Sequence, residues 1–429
     1  MTTKNRLNER VAISGVGCSR FGDLLETPGI KGLTLQELAA VAAREAFEDA
    51  GMSPLDVDAV FVGNVMEQSA QLPATYSHLS KWMGTQFRPG VHIDAACSTT
   101  NVGVTLAAQA IASGNVDSAL VVGVEATRNR PKGHSPYERE AIPSDEMWLW
   151  TDMCCNQAYA VPQGYEIFST YNGILGQAYC RRYGVSVADY DRAMFEVART
   201  RRLHASMNPL ASVQETLEAE ARRHHFDDAY AFWQSRYNPF ISWPARMRSV
   251  VTPADGASAI LLTRRDLAAG LRSAPIELAG YASAVSDLPW YGEDATDWKV
   301  DRIAVKNAFE MAGITGADIG YLHVHDCSHI MGICTAEQTG YLKRGEGLTA
   351  AREGRLRYDG DRPMSTHGGR MAFGHAWAAS AGSDTYEAVK QMRGEAGARQ
   401  IKRRPEVAVV GTQGYAIIST MLVLKGDAS

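Results

Sequence analysis

No run in this chain approaches the roughly 18 consecutive apolar residues that a membrane span requires. Met1 to Arg10 is polar and mixed in charge, without the apolar core of a secretion signal. Cysteine is scarce, seven in 429 residues, and odd in number. That excludes a disulfide scaffold and suits a reducing compartment in which each thiol is buried or reactive. The expectation is a soluble, cytoplasmic protein. Neither sign of charge dominates: 43 Lys plus Arg stand against 48 Asp plus Glu, a net charge of −5. No global basic field therefore invites a nucleic-acid backbone. Phosphate loops of the Walker type and the G-x-S-x-G elbow are also missing. Val11 to Gly22 opens like a dinucleotide-binding strand and turn, but Gly15 and Gly17 lack the third glycine, and Pro28 and Gly29 follow where a helix should start.

What is present is ample material for a core, 45% hydrophobic against 21% charged residues. It is also repeated. Residues 43–62 laid without a gap on 305–324 match at Ala46/Ala308, Phe47/Phe309, Glu48/Glu310, Ala50/Ala312, Gly51/Gly313, Asp56/Asp318 and Val62/Val324. Each copy reads as an amphipathic helix closed by a C′ glycine, a short loop and a β-rich strand. Ser118 to Val124 and Glu406 to Gly411 extend the likeness as short apolar strands, each after an Ala-rich helical segment. Such strands alternating with helices predict an α/β fold of two duplicated βαβαβ halves whose sheets are covered on both faces. The expected divisions are 1–125, completed by a strand within 246–268; an inserted loop domain, 126–245; and 269–429. In the insertion, Trp148, Trp150, Trp233 and Trp243 either fill a small core or line a pocket for a bulky acyl group. The basic runs Arg199 to Arg202 and Arg222 to His225 read as solvated helix faces, one of which could meet a phosphate.

Four segments carry chemistry. In Val91 to Gly103 a strand runs through a small-residue turn into an Ala-rich helix, with Cys97 at the helix start. The positive dipole end and unpaired N–H groups there favour a thiolate and can hold an oxyanion, although a buried structural thiol is the plainer reading. In Tyr321 to Ile330, alternation places His323, His325, Cys327 and His329 on one face, a row that invites a metal. A turn at the strand end instead leaves His325 and Cys327 to converge as an acid/base pair. In Ser365 to Gly382, His375 precedes a helix and mirrors Cys97 in the other half, so the halves can bring the two together. In Val409 to Ala416, the strand-end turn can offer backbone donors, Gly414 among them, to an oxyanion.

A helix-start cysteine, then His325-Asp326-Cys327, then Gly-Gly ahead of Gly374-His375, in a duplicated α/β chain, resembles the thiolase superfamily, and in particular its sterol-carrier-protein type. The resemblance implies a five-layer αβαβα sandwich. It implies that Cys97 is acylated, that His375 activates it, that His325 stabilises the thioester enolate and that Cys327 moves the α-proton. It also implies coenzyme A as co-substrate with no permanently bound cofactor or metal, acyl-CoA substrates, a homodimer or dimer of dimers, and a small OB-fold zinc-ribbon partner. Retro-aldolase and non-catalytic scaffold remain as alternatives on the same fold. The chain departs from the family pattern at Ala376, where proline is usual, at Ser328, where phenylalanine is, and at Gln413, where glycine is common.

Overall fold

Both copies of the repeat fold alike. In the computed structural model the described residues are 11–65, 74–126, 167–286, 294–414 and 417–426, with 167–170 described by backbone alone. The first half comprises β1 (Val11–Cys18), α1 (Leu35–Ala50), β2 (Ala59–Gly63), α2 (Thr75–Met83), β3 (Gly90–Ile93), α3 (Thr99–Ala112) and β4 (Ser118–Glu125). An inserted region follows, with α4 (Ile167–Tyr183), α5 (Val187–Ser206) and the hairpin β5 (Phe240–Ser242) and β6 (Ala245–Arg246), before β7 (Gly256–Arg264) returns to the first half. The second half comprises β8 (Ile276–Val285), α6 (Lys299–Ala312), β9 (Tyr321–Val324), α7 (His329–Gln338), α8 (Trp377–Arg393), β10 (Val407–Gly414) and β11 (Ile418–Lys425). Among the described residues no helix is long and apolar enough to cross a membrane.

The repeated helices α1 and α6 end on Gly51 (φ 70°) and Gly313 (φ 64°), left-handed positions that cost a side-chain-bearing residue more. Thr34 caps α1 in a reciprocal box with Glu37, worth about 1 kcal/mol. The strand order β3-β2-β4-β7-β1-β8-β11-β10-β9 is symmetric about the β1–β8 junction, with β3 lacking a strand counterpart. β2 is parallel to β3 and β4, and β7 is antiparallel to β4 and β1. In the second half β9 is parallel to β10, and β11 is antiparallel to β10 and β8. A single parallel bridge from Leu322 to Met364 stands where β3 stands in the first half. The halves are not separate sheets, because Ala12 and Ile13 of β1 pair with Glu277 and Ile276 of β8 and join them at one corner.

Layering follows side-chain size. α3 is apolar or small on nearly every face, as a helix enclosed by two sheets must be. With α8 it packs between the halves around Val104, Ile111, Val121, Leu278, Val389 and Leu422. α1 covers the outside of the first half and α6 the outside of the second, giving the five-layer αβαβα sandwich. Gly15 and Gly17, the false dinucleotide turn, serve this packing. A Cβ at Gly15 would lie 2.1 Å from the Ala46 carbonyl oxygen, and one at Gly17 2.0 Å from that of Ala42.

The insertion has its own aromatic core. Trp233 is fully buried and donates from Nε1 to Asp191 Oδ1 at 3.0 Å, edge-on to Phe195. Trp243 does not share it: it is 50% exposed, because the hairpin turns it outward. Trp148 and Trp150 lie outside the described residues. The run 199–202 departs from its expected solvated face, since Arg201 and Arg202 are buried by partners on both sides while Arg199 stays exposed. Arg222 and Arg223 are exposed, as expected.

Candidate active site

Cys97 stands in the turn between β3 and α3. Asp94 Oδ1 accepts from the Ala96 amide at 2.9 Å, and the Thr99 hydroxyl accepts from the Ala95 amide at 2.9 Å while donating to the Ala96 carbonyl at 2.6 Å. These bonds hold Ala96 at φ 50° and deliver the sulfur to the helix start, where the dipole favours negative charge. From the opposite half, His375 approaches ahead of α8, its amide donating to the Thr252 carbonyl at 2.8 Å and its carbonyl accepting from Ala254 at 3.0 Å. Its Nε2 lies 3.1 Å from Cys97 Sγ, and its Nδ1 lies 2.9 Å from Ser380 Oγ. The tautomer that gives Nδ1–H to Ser380 leaves the Nε2 lone pair on the thiol, the arrangement a base needs.

The strand β9 ends at Val324, and the chain turns before α7 begins at His329. That turn sends His325 and Cys327 to Cys97: one side-chain nitrogen or sulfur atom from each of Cys97, His325 and Cys327 lies within 4.8 Å of the other two. His325 and His375 meet edge to face with ring centroids 5.7 Å apart. Burial, and then the Arg370 charge, hold both imidazoles well below the ordinary histidine range, so they are neutral. Burial, followed by its hydrogen bond with Cys97, pushes the Cys327 thiol up, so it is a protonated donor. Trp377, at φ 25°, packs on His375 with ring centroids 4.9 Å apart, and with Val65 and Ala378 it lines the apolar side of Cys97.

Gly414 closes β10 against the Cys97 turn, where a Cβ would lie 2.7 Å from the Ala95 carbonyl oxygen. Gln413 faces the other way, its side-chain amide donating to Asp301 of α6. His323 and His329 separate from the pair, as the strand end predicts. His323 Nε2 lies 3.2 Å from His367 Nδ1, and both rings flank Asp384 Oδ1, at 3.4 Å from His323 Nδ1 and 3.2 Å from His367 Nε2. This triple has a metal-like donor set, but Asp384 is already spanned by Arg370 at 2.8 and 2.6 Å, and His367 Nδ1 accepts from the Gly369 amide at 3.0 Å. A cation beside that guanidinium would be repelled, so the donors fit a structural cluster.

Sequence reasoning missed Ser380, Arg370 and Asp384. Ser380 carried a signal, since a hydroxyl one turn into a helix can reach back to its start: its Oγ also accepts from the Ala376 amide at 2.9 Å. The Arg370–Asp384 pair carried none, because it closes only through the tertiary fold.

The duplicated α/β sandwich thus places a thiol at one inner helix start and an imidazole at the other. The family profile described as "Thiolase, N-terminal domain" matches residues 13–193, and "Thiolase C-terminal domain-like" matches 291–426. The chain belongs to the thiolase superfamily and is of its sterol-carrier-protein type. It is 29% identical over 397 residues to an acetyl-CoA acetyltransferase of Methanothermobacter thermautotrophicus, covering 91% of this chain and 93% of that one. It is 24% identical over 425 residues to the benzoylsuccinyl-CoA thiolase subunit BbsB of Thauera aromatica, covering 95% and 96%. Among solved structures, the Ltp2-ChsH2(DUF35) aldolase superposes with a TM-score of 0.74 at 19% identity, over 99% of each chain, a likeness of fold.

Proposed function

We propose that the chain is a thiolase that cleaves, or forms by Claisen condensation, a 3-oxoacyl-CoA through an acyl-Cys97 intermediate. In the degradative direction Cys97 Sγ attacks the 3-keto carbon as His375 Nε2 takes the thiol proton. The C2–C3 bond breaks, its electron pair leaves as the acetyl-CoA enolate, and Cys327 protonates that carbon while His325 holds the enolate oxygen. The thiolate of free CoA then attacks the acyl group and releases Cys97; its proton and the one on His375 restore the Cys327 and Cys97 thiols. Backbone donors at Cys97 and Gly414 would hold the oxyanion of the attack. The observation that carries this reading is the 3.1 Å approach of His375 to Cys97 with a protonated Cys327 beside it.

Intact-mass measurement after incubation with a panel of acyl-CoAs, followed by peptide mapping, tests it: acyl adducts on Cys97 are expected. Absence of adducts at any cysteine, with and without a small OB-fold zinc-ribbon partner, would overturn it and favour the retro-aldolase or scaffold. A bulky or aromatic acyl group is proposed as substrate, supported by the likeness to the Thauera subunit; strict preference for acetoacetyl-CoA across the panel would remove it. The remaining proposals are a cytoplasmic homodimer or dimer of dimers, checked by light-scattering mass, and the domain division 1–125 with 246–268, 126–245 and 269–429.

A further inference from the structure

The inserted region sends one charged side chain into the heart of the second half. Arg201 of α5 is 1% exposed. Its Nε donates to Asp326 Oδ2 at 2.7 Å and its Nη1 to the Met364 carbonyl at 2.5 Å. Asp326, fully buried, also accepts at Oδ1 from the Arg370 amide at 2.8 Å. The surroundings leave the carboxylate little room to move. A Cβ at Gly369 (φ 63°) would lie 2.3 Å from Asp326 Oδ2 and 2.9 Å from Arg201 Cδ. Asp326 is the residue between His325 and Cys327, and its side chain turns away from Cys97 to meet Arg201. The backbone on either side is pinned separately, His325 N to the Gly411 carbonyl at 2.9 Å and the Cys327 carbonyl to Val251 N at 2.8 Å. What fixes the turn between those two pins is the Asp326 side chain.

Contacts at the end of α5 and just beyond it also reach the second half. His204 Nε2 accepts from the Tyr358 amide at 2.9 Å, and Asn208 Nδ2 donates to the His367 carbonyl at 3.2 Å. Only Arg201, however, reaches the turn that carries His325 and Cys327. A buried ion pair is costly to desolvate, and replacing such pairs by apolar residues is often neutral or stabilising. Stability alone is thus a poor reason to place one here, whereas fixing the orientation of a loop is a good one.

We propose that Arg201 is a positioning residue for the reaction: through Asp326 it sets where His325 and Cys327 stand against Cys97, so it governs α-proton transfer and leaves thiol acylation largely alone. This rests on the thiolase reading above. Two half-reactions separate the roles: acylation of Cys97 by acetyl-CoA, read by intact mass, and exchange of the acetyl-CoA α-protons with D2O, read by NMR. In Arg201→Met exchange is expected to fall about 100-fold, the cost of an ångström-scale misplacement, with acylation changed less than about threefold. Arg201→Lys, which keeps the charge but loses the fork, should recover part of the exchange. The double variant Arg201→Met with Asp326→Asn removes both charges and guards against a fold that fails through an unpaired carboxylate. It should acylate and still exchange slowly. Equal loss of both half-reactions in the folded double variant, or wild-type exchange in Arg201→Met, would overturn the proposal. If the wild-type protein neither acylates nor exchanges, the thiolase reading itself fails. The claim about the turn is then decided by iodoacetamide labelling of Cys327: an altered rate in Arg201→Met supports it, and an unchanged rate overturns it.

Discussion

His323 and His325 are two residues apart at the end of β9, both buried and both neutral, yet they live in opposite surroundings. His323 joins His367, Asp384 and Arg370 in a cluster where charge is matched and the carboxylate is spanned by a bidentate guanidinium. His325 joins Cys97, Cys327 and His375, and His325 Nδ1 has no hydrogen-bond partner among the described residues. The first cluster is closed by the Arg370–Asp384 ion pair, although His323 Nδ1, His367 Nε2 and Arg370 Nε also lack hydrogen-bond partners among the described residues. The second is open in a different sense: no ion pair closes it, and two thiols stand beside two imidazoles. Neither burial nor an unsatisfied ring nitrogen separates the two histidines; the ion pair beside one and the thiols beside the other do.

Removing the centre of the open cluster should have the largest effect. Cys97→Ala is expected to lower acyl transfer by at least about a thousandfold with the melting temperature nearly unchanged, measured by CoA-thioester turnover and calorimetry. Breaking the closed cluster should do the reverse. Asp384→Asn strands the buried Arg370 charge and is expected to cost about 3–5 kcal/mol in denaturant unfolding. If it costs activity and no stability, the two clusters are not different in kind. Cys327→Ala sharpens the contrast within the open cluster: α-proton exchange should fall by roughly 100-fold while acylation of Cys97 persists.

The mildest probe is pH, and it reads both clusters at once. His204 and His329 are pushed down to about 3, and burial holds His323, His325, His367 and His375 well below the ordinary value. The unfolded chain takes up these protons near pH 6.5 and the folded chain does not. Stability is therefore full above that pH and is lost as pH falls below it. Urea midpoints measured from pH 8 to 5 should drop accordingly; a flat profile would mean that these imidazoles are charged in the folded state.

Much of this organisation was legible in the residues. The repeat around Gly51 and Gly313 gave the two halves because a left-handed helix stop followed by a strand is a local signal, written where it acts. Cys97 and His375 were legible for a similar reason: each marks a helix start, and equivalent starts in a duplicated fold face each other. Arg201 was not, since Arg199 to Arg202 reads as a charged helix surface until Asp326, distant in the chain, arrives beside it. Trp243 misled in the opposite sense, because its apolar ring gives no hint that a hairpin turns it to solvent. The continuity of the sheet was hidden too, resting on two residues of β1 that pair across the halves.

The contact between Cys97 and His375 spans 278 residues of chain. Synthesis at about 5–20 residues per second places tens of seconds between the emergence of Cys97 and that of His375. Throughout that interval the nascent first half carries Cys97 without His375 beside it. On the thiolase reading proposed above, Cys97 meets its base only when the last third of the chain docks, a sequence of events that timed thiol labelling during refolding can follow.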